Sequence, residues 1–160
     1  MIVIADTAPV NYLILIGAIE LLPKLYGQIV IPESVLSELN AGRSPAPVKL
    51  WVRNKPDWLR VEKAEPRASK KPPHFSTLAN VKRSRWQGRC TQTFSYSMNA
   101  RHGAREAKRL NLPVTGTLGV LRTASERGLI QIEAAIERLR KTSFYVAPDV
   151  IESLLKGRKP

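Results

Sequence analysis

The stretch IVIADTAPVNYLILIG, residues 2–17, decides the fold of this chain. It begins with a short apolar run of mostly β-branched residues, which predicts a buried strand that ends at Asp6. Pro9 is typical of the first turn of a helix. The apolar residues after it recur at helical spacing: Val10, Leu13, Ile14, Gly17 and Ala18. The stretch therefore predicts a buried strand that leads into a buried helix.

An apolar start of this kind also resembles a signal peptide. It has no basic region before the apolar run, Asp6 interrupts it, and no small-residue cleavage site is evident. The single cysteine, Cys90, excludes an internal disulfide, which is typical of a reducing compartment. We therefore expect a cytoplasmic protein with no membrane partner.

Strands and helices alternate along the rest of the chain. Further strands are predicted at 28–31, 58–61 and 112–114, and further helices at 32–41, 48–52, 104–110, 118–127, 132–139 and 150–155. This alternation predicts an α/β fold in which helices wrap a parallel sheet. A chain of 160 residues has the length of one ordinary domain, here expected to span 1–157.

The positive charge of the chain is concentrated in its middle. The formal net charge is +13, and residues 66–105 contain nine Lys or Arg and no acid. The other 120 residues contain 17 basic and 13 acidic side chains. A like-charged block is usually solvated and can attract phosphate backbones, so we expect the anomalous basic segment, residues 66–102, to be poorly ordered or badly packed.

Two acids are candidate functional residues, and each has a simple structural explanation. Asp6 follows the first strand, where ligands bind in parallel sheets, but an Asp ahead of a Pro commonly caps a helix. Glu38 lies on a predicted helix and by itself resembles a solvated surface glutamate. His74 and His102 have no partner at metal-ligand spacing, and no Gly-rich phosphate loop is present.

Three stretches together resemble a known family: IVIADTAPVNYLILIG (2–17), YGQIVIPESVLSEL (26–39) and LNLPVTGTLGVLRTASERGLI (110–130). They are similar to the VapC-like PIN-domain family, in a prokaryotic nucleic-acid-binding branch, over residues of about 1–65 and 103–157. The resemblance implies a three-layer α/β/α sandwich with a central parallel sheet.

The resemblance also implies a function. PIN domains are metal-dependent ribonucleases, many of them toxins of toxin–antitoxin pairs, in which three or four carboxylates hold Mg²⁺ or Mn²⁺. Asp6 matches the first family acid and Glu38 the second, and both are implied metal ligands. Thr7 and Thr115 are polar neighbours at strand ends. The implied partners are RNA, an antitoxin protein and a second copy of the chain.

The remaining family acids are missing from this sequence. They belong to a segment resembling LDxGE, a helix and an apolar strand that ends in an acid, but residues 75–103 contain no carboxylate. Consider the gene read one base out of frame, so that the last base of each codon joins the first two bases of the next codon. In that frame the codons of Met98 and Asn99 must together encode Glu. Thr93-Phe94 and Ser95-Tyr96 can then encode only apolar residues. We therefore hypothesise that residues of about 67–102 are translated out of frame.

Three readings of the chain as written remain open. Loss of two family acids predicts a ribonuclease relative with no measurable activity. A real basic insertion, residues 67–105, would instead make a non-catalytic RNA-binding module. Its candidate RNA contacts are Lys82, Arg83, Arg85, Arg89, Arg101 and Arg105. A defective product with no activity is the third reading. In each case TQTFSYSM, residues 91–98, can pair as a makeshift strand.

Overall fold

The computed structural model describes residues 2–63, 90–94 and 114–156 of the chain. These residues form five strands: β1 (Ile2–Ala5), β2 (Gln28–Pro32), β3 (Leu59–Glu62), β4 (Cys90–Phe94) and β5 (Val114–Thr115). They also form seven helices: α1 (Thr7–Leu15), α2 (Leu21–Tyr26), α3 (Glu33–Leu39), α4 (Ala46–Arg53), α5 (Thr117–Glu126), α6 (Ile132–Arg140) and α7 (Pro148–Lys156). No helix in these ranges is both long and apolar enough to span a bilayer.

The strands form one parallel sheet in the order β3-β2-β1-β4-β5. The α/β class and the parallel sheet predicted from the alternation of elements are confirmed. The chain builds outward from β1 through β2 to β3, and then continues on the other side of β1 with β4 and β5. The strand order therefore reverses beside β1, which is where parallel sheets form ligand crevices at the carboxyl ends of their strands.

Both faces of the sheet are covered. Ile29, Val30 and Ile31 are consecutive in β2 and each is fully buried. Successive side chains of a strand point to opposite faces, so packed helices must lie on both sides. The three-layer α/β/α arrangement expected from the sequence is therefore confirmed. The main core joins the sheet to helices on both sides and includes Val3, Leu13, Leu39, Val48 and Leu121.

The first strand and helix form where the apolar pattern predicts, but α1 is shorter than expected. Asp6 adopts extended backbone angles and caps the helix at its amino end. The helix ends at Leu15, and Gly17 adopts a left-handed φ of +69°. The prediction that Gly17 and Ala18 continue the helix is wrong, because that backbone conformation stops a right-handed helix and glycine adopts it without steric cost.

The central strand β4 contains part of the predicted makeshift strand. The prediction covered 91–98, and the structure has a strand at Cys90–Phe94, between β1 and β5. Its register with β1 is irregular near Ile2 and then continuous from Val3 to Ala5. The rest of the 66–102 segment, and the helix predicted at 104–110, lie outside the described residues.

Candidate functional site

Asp6 is positioned by the junction between β1 and α1. Its Oδ1 accepts a hydrogen bond from the Thr7 backbone N–H at 2.8 Å, and the side chain is partly buried. This bond satisfies one of the donors that a helix leaves unpaired at its amino end. The capping role predicted as the structural explanation of Asp6 is therefore confirmed. Helix capping and ligand binding are compatible, since one carboxylate oxygen is enough for the cap.

Glu38 reaches the same place from a different element. It lies in the last turn of α3, which packs against α1. Its Oε2 accepts a hydrogen bond from Thr7 Oγ1 at 2.5 Å. Glu38 itself is exposed to solvent. Thr7 thus contacts both acids, Asp6 through its backbone N–H and Glu38 through its hydroxyl.

The two carboxylates influence each other electrostatically. Burial raises the pKa of Asp6 above the ordinary value of 3.8, and the negative charge of Glu38 raises it further. The hydrogen bond from the Thr7 N–H has the opposite effect on the Asp6 pKa, because it favours the ionised carboxylate. A partly buried acid beside a second acid is an environment that a cation would stabilise.

The donor set fits a divalent cation that keeps several of its other ligands. Mg²⁺ is commonly held by one or two carboxylates together with water and substrate phosphate oxygens, and Mn²⁺ prefers similar oxygen ligands. Asp6 and Glu38 supply two carboxylates from separate elements. Within residues 2–63, 90–94 and 114–156, no cluster of three or more His, Cys, Asp or Glu could hold a metal. Asp6 and Glu38 are therefore a candidate site that offers a cation two carboxylates.

The sheet register aligns the carboxyl ends of three strands. Ala5 pairs with Phe94, and Phe94 pairs with Thr115, so β1, β4 and β5 end at one level. In the sequence, Phe94 is followed by Ser95, Tyr96, Ser97 and Met98, none of which carries a carboxylate. The resemblance described above predicts an acid at the end of this strand.

A second group of polar residues lies at the carboxyl end of β5. Thr115, flagged from the sequence as a polar neighbour, is partly exposed there. A Cβ added at Gly119 would collide with Thr115 Oγ1, so this hydroxyl packs directly against the first turn of α5. Gly116 is the N-cap of α5 and makes no side-chain capping bond. Thr115 still belongs to β5 and Thr117 already belongs to α5, so neither threonine occupies the capping position.

Thr117 is a residue whose environment the sequence did not indicate. It is 1% exposed, and among the described residues its Oγ1 has no hydrogen-bond partner. A buried polar atom without a partner is rare and costs free energy. The TGT motif contains threonines on both sides of a glycine, but nothing local in the sequence shows which hydroxyl is buried.

The predicted RNA contacts do not belong to the part of the chain that the structure describes. Lys82, Arg83, Arg85, Arg89, Arg101 and Arg105 all lie in residues 64–89 or 95–113, as do His74 and His102. Their predicted roles stay predictions.

Comparison with known proteins confirms the PIN-domain part of the resemblance seen in the sequence. A family model described as a PIN domain matches residues 2–159, which is nearly the whole chain. No curated protein and no solved structure gives a significant match. The family match extends across the basic middle of the chain as well as the two well-patterned flanks.

Proposed function

The chain belongs to the PIN-domain family, and from that membership we propose that it descends from a metal-dependent endoribonuclease and is catalytically impaired as written. Membership supports a nuclease-like domain. The observation that carries the proposal is the meeting of Asp6 and Glu38, 32 positions apart, through the shared partner Thr7.

Asp6 and Glu38 are the proposed metal ligands. Asp6 is held in place by the Thr7 N–H and Glu38 by the Thr7 hydroxyl, so neither carboxylate has to be ordered when a cation arrives. Their combined negative charge lowers the free energy of a bound divalent cation. When bound, Mg²⁺ or Mn²⁺ supplies an activated water and neutralises charge on the scissile phosphate.

Impairment follows from the composition of the neighbouring strand. Family members position the attacking water with a third or fourth acid, and the sequence that follows β4 contains no acid from Ser95 to Gly103. A single lost transition-state contact can reduce the rate about 10²–10³-fold. The proposed outcome is metal binding with little or no RNA cleavage.

The missing acids have a proposed cause in the gene. In the shifted reading frame, a choice of permitted codons lets residues 75–101 encode LDAGE, an apolar LLLL run and a final ER. The Glu encoded across Met98-Asn99 does not depend on codon choice. The structure adds support through β4, which occupies an inner position that a parallel sheet fills with apolar residues on both faces. Three of the five residues of the translated β4, CTQTF, are polar.

Sequencing the gene across codons 67–102 tests the proposed frame change. The expected nucleotides give LDAGE and an apolar strand when read one base out of frame, and two compensating insertions or deletions bracket them. Codons that do not yield those residues in the shifted frame would show the basic segment to be the native sequence.

Titration of the full chain with Mn²⁺ tests the metal site. We expect one divalent ion to bind, with affinity lost in Asp6→Asn and in Glu38→Gln, and we expect no Mg²⁺-dependent cleavage of RNA. Mg²⁺-dependent cleavage that Asp6→Asn abolishes would show that the two surviving acids suffice. Metal binding that neither substitution affects would remove the proposed site.

A second candidate function rests on the charge of the middle segment. Residues 66–105 hold nine basic side chains and no acid, so a non-catalytic RNA-binding module is the alternative. Its signature is RNA affinity that falls steeply with salt, without cleavage, and that is unaffected by Asp6→Asn.

Finer aspects of the lineage are also proposals. We place the protein in the VapC-like branch, acting in the cytoplasm as the toxin component beside an antitoxin, on the strength of the three family-like stretches. Dimer formation is proposed on the same ground. Size-exclusion chromatography with light scattering measures the oligomer, and co-expression with the product of an adjacent small gene tests the antitoxin.

A further inference from the structure

The amino end of α5 has the local properties of an anion site. The first intrahelical bond runs from the Val120 N–H to the Gly116 carbonyl, so the N–H groups before Val120 lack intrahelical acceptors. The N-cap Gly116 offers no side chain, and the first turn contains no acid. The helix dipole and these first N–H groups together favour a negatively charged ligand here.

The buried Thr117 hydroxyl is the independent observation that points to a ligand. Thr117 opens α5, and the Cα–Cβ bonds of a helix tilt toward its amino end, so this side chain leans toward the unpaired N–H groups. Its Oγ1 is buried and has no partner among the described residues. Proteins rarely retain such an atom unless a ligand or a bound water satisfies it.

A second hydroxyl reaches the same turn of the helix. Thr115 Oγ1 packs against Gly119, in the space that a Cβ would otherwise occupy. Glycine at position 119 therefore permits the strand-end hydroxyl to approach the helix backbone. Two hydroxyls and the first N–H groups of α5 thus lie at one end of one helix.

We propose that the amino end of α5, with the hydroxyls of Thr115 and Thr117, binds a backbone phosphate of the RNA strand. This inference rests on the proposed function, because it gives the RNA strand that binds at Asp6 and Glu38 a second point of contact. The hydroxyls and N–H groups donate to phosphate oxygens, and the helix dipole complements the negative charge.

The place of this phosphate subsite in the sheet suits a strand that also reaches the acids. Asp6 follows β1 and Thr115 ends β5, with only β4 between them. Two strand spacings amount to about 10 Å, which nearby phosphates of one RNA strand can span. In this arrangement Asp6 and Glu38 bind the divalent cation, and the amino end of α5 binds a phosphate of the RNA strand.

The rival explanation is that the Thr117 hydroxyl is an unpaired atom of no functional consequence. The two explanations differ for Thr117→Val, which removes the hydroxyl while keeping the shape of the side chain. Both predict a melting temperature equal to or above that of the parent, because an unpaired buried hydroxyl is replaced by a methyl group. Only the phosphate subsite predicts a loss of RNA affinity.

The test measures binding of a short single-stranded RNA by the full chain in EDTA, where no metal contributes. We expect Thr117→Val to weaken binding about tenfold, as the loss of one hydrogen bond to a charged group would. Thr117→Ser keeps a hydroxyl and should bind RNA nearly as tightly as the parent. The basic segment is identical in all three proteins, so its contribution to affinity cancels in the comparison.

A second measurement separates RNA from free phosphate as the source of the anion. Inorganic phosphate should raise the melting temperature of the parent above that in chloride of equal ionic strength, and should not do so for Thr117→Val. An unchanged RNA affinity in Thr117→Val overturns the inference, even if free phosphate binds. The RNA measurement in EDTA does not depend on metal binding. If Thr117→Val loses RNA affinity while the Mn²⁺ titration shows no metal binding by the chain, the proposed function is contradicted and the phosphate subsite is supported.

Discussion

The Thr7 hydroxyl donates to Glu38 Oε2 at 2.5 Å, while the Thr7 backbone N–H donates to Asp6 Oδ1 at 2.8 Å. One residue therefore orients two acids that come from different elements of the fold. Groups that orient a metal ligand through a hydrogen bond commonly change metal affinity when they are removed. Thr7 is a positioning residue in the proposed metal site.

Thr7→Val should weaken Mn²⁺ binding about tenfold, because Glu38 loses the donor that holds it near Asp6. The backbone bond to Asp6 is retained, so the α1 cap and the fold should be preserved. Mn²⁺ affinity can be measured by electron paramagnetic resonance, with circular dichroism as a check on the fold. Thr7→Ser is the matched control and should bind Mn²⁺ like the parent. Equal affinity in all three proteins would contradict a positioning role.

Asp6→Asn should abolish metal binding and raise the melting temperature at neutral pH. The raised pKa of Asp6 means that, above its ordinary pKa of 3.8, the folded state holds this proton more tightly than the unfolded state does. Stability therefore falls as pH rises from 3.8 through the folded pKa, and Asp6→Asn removes this loss. Asn caps helices about as well as Asp, so the cap is kept.

The thermal measurement with Asp6→Asn has an internal control in pH. The gain in melting temperature over the parent should shrink as pH is lowered toward 3.8, where Asp6 becomes protonated in both states. A gain that is constant with pH, or a loss at neutral pH, would show that burial and the Glu38 charge do not destabilise ionised Asp6.

Glu38→Gln should lower the pKa of Asp6 toward its ordinary value, since one of the two causes that raise this pKa is the charge of Glu38. The pKa can be followed by NMR titration of the Asp6 carboxyl carbon. Glu33→Gln is a suitable control because Glu33 lies on the same helix, in its first turn, and does not contribute to the Asp6 shift. An Asp6 pKa that is the same in Glu38→Gln and the parent would show that the acids do not interact.

Gly119→Ala should not give the stabilisation of up to about 1 kcal/mol that Gly-to-Ala changes usually give in helix interiors. The added Cβ collides with Thr115 Oγ1, so that hydroxyl must move. Chemical denaturation of both single variants and the double variant with Thr115→Ala forms a double-mutant cycle. We expect Gly119→Ala to be less destabilising when Thr115 is alanine, because the collision with Oγ1 is then removed and the added Cβ lies 3.3 Å from the Cβ of residue 115. Equal effects in both backgrounds would show that the contact is not restrictive.

Restoring the alternative frame across residues 67–102 should produce a ribonuclease. The reconstructed segment returns LDAGE and a strand that ends in acids beside Asp6, so RNA cleavage in Mg²⁺ should exceed that of the parent by at least about 10²-fold. Asp6→Asn in the restored chain should return cleavage to the parent level. A restored chain that folds and binds Mn²⁺ but does not cleave RNA would contradict the proposed lineage.

Most elements were predictable from local pattern. The β-branched run before Asp6 and the apolar spacing after it produce β1 and α1, and the same logic holds for β2, α3 and α6. The exceptions have local causes that apolar spacing does not record. Gly17 ends α1 early through a left-handed backbone, and α2 is a six-residue helix that no predicted element covered.

The class of fold, the parallel sheet, the family and the two candidate acids were all predictable from the sequence. Hydrophobic periodicity and short motifs are local properties that depend on residues close together in the chain. Tertiary structure alone decided that Asp6 and Glu38 share Thr7 and that β4 lies between β1 and β5. It also decided that the Thr117 hydroxyl is buried with no hydrogen-bond partner in the described part of the chain. These properties depend on which distant elements pack together. Local preferences cannot encode them, since each arises from contacts between residues far apart in the chain.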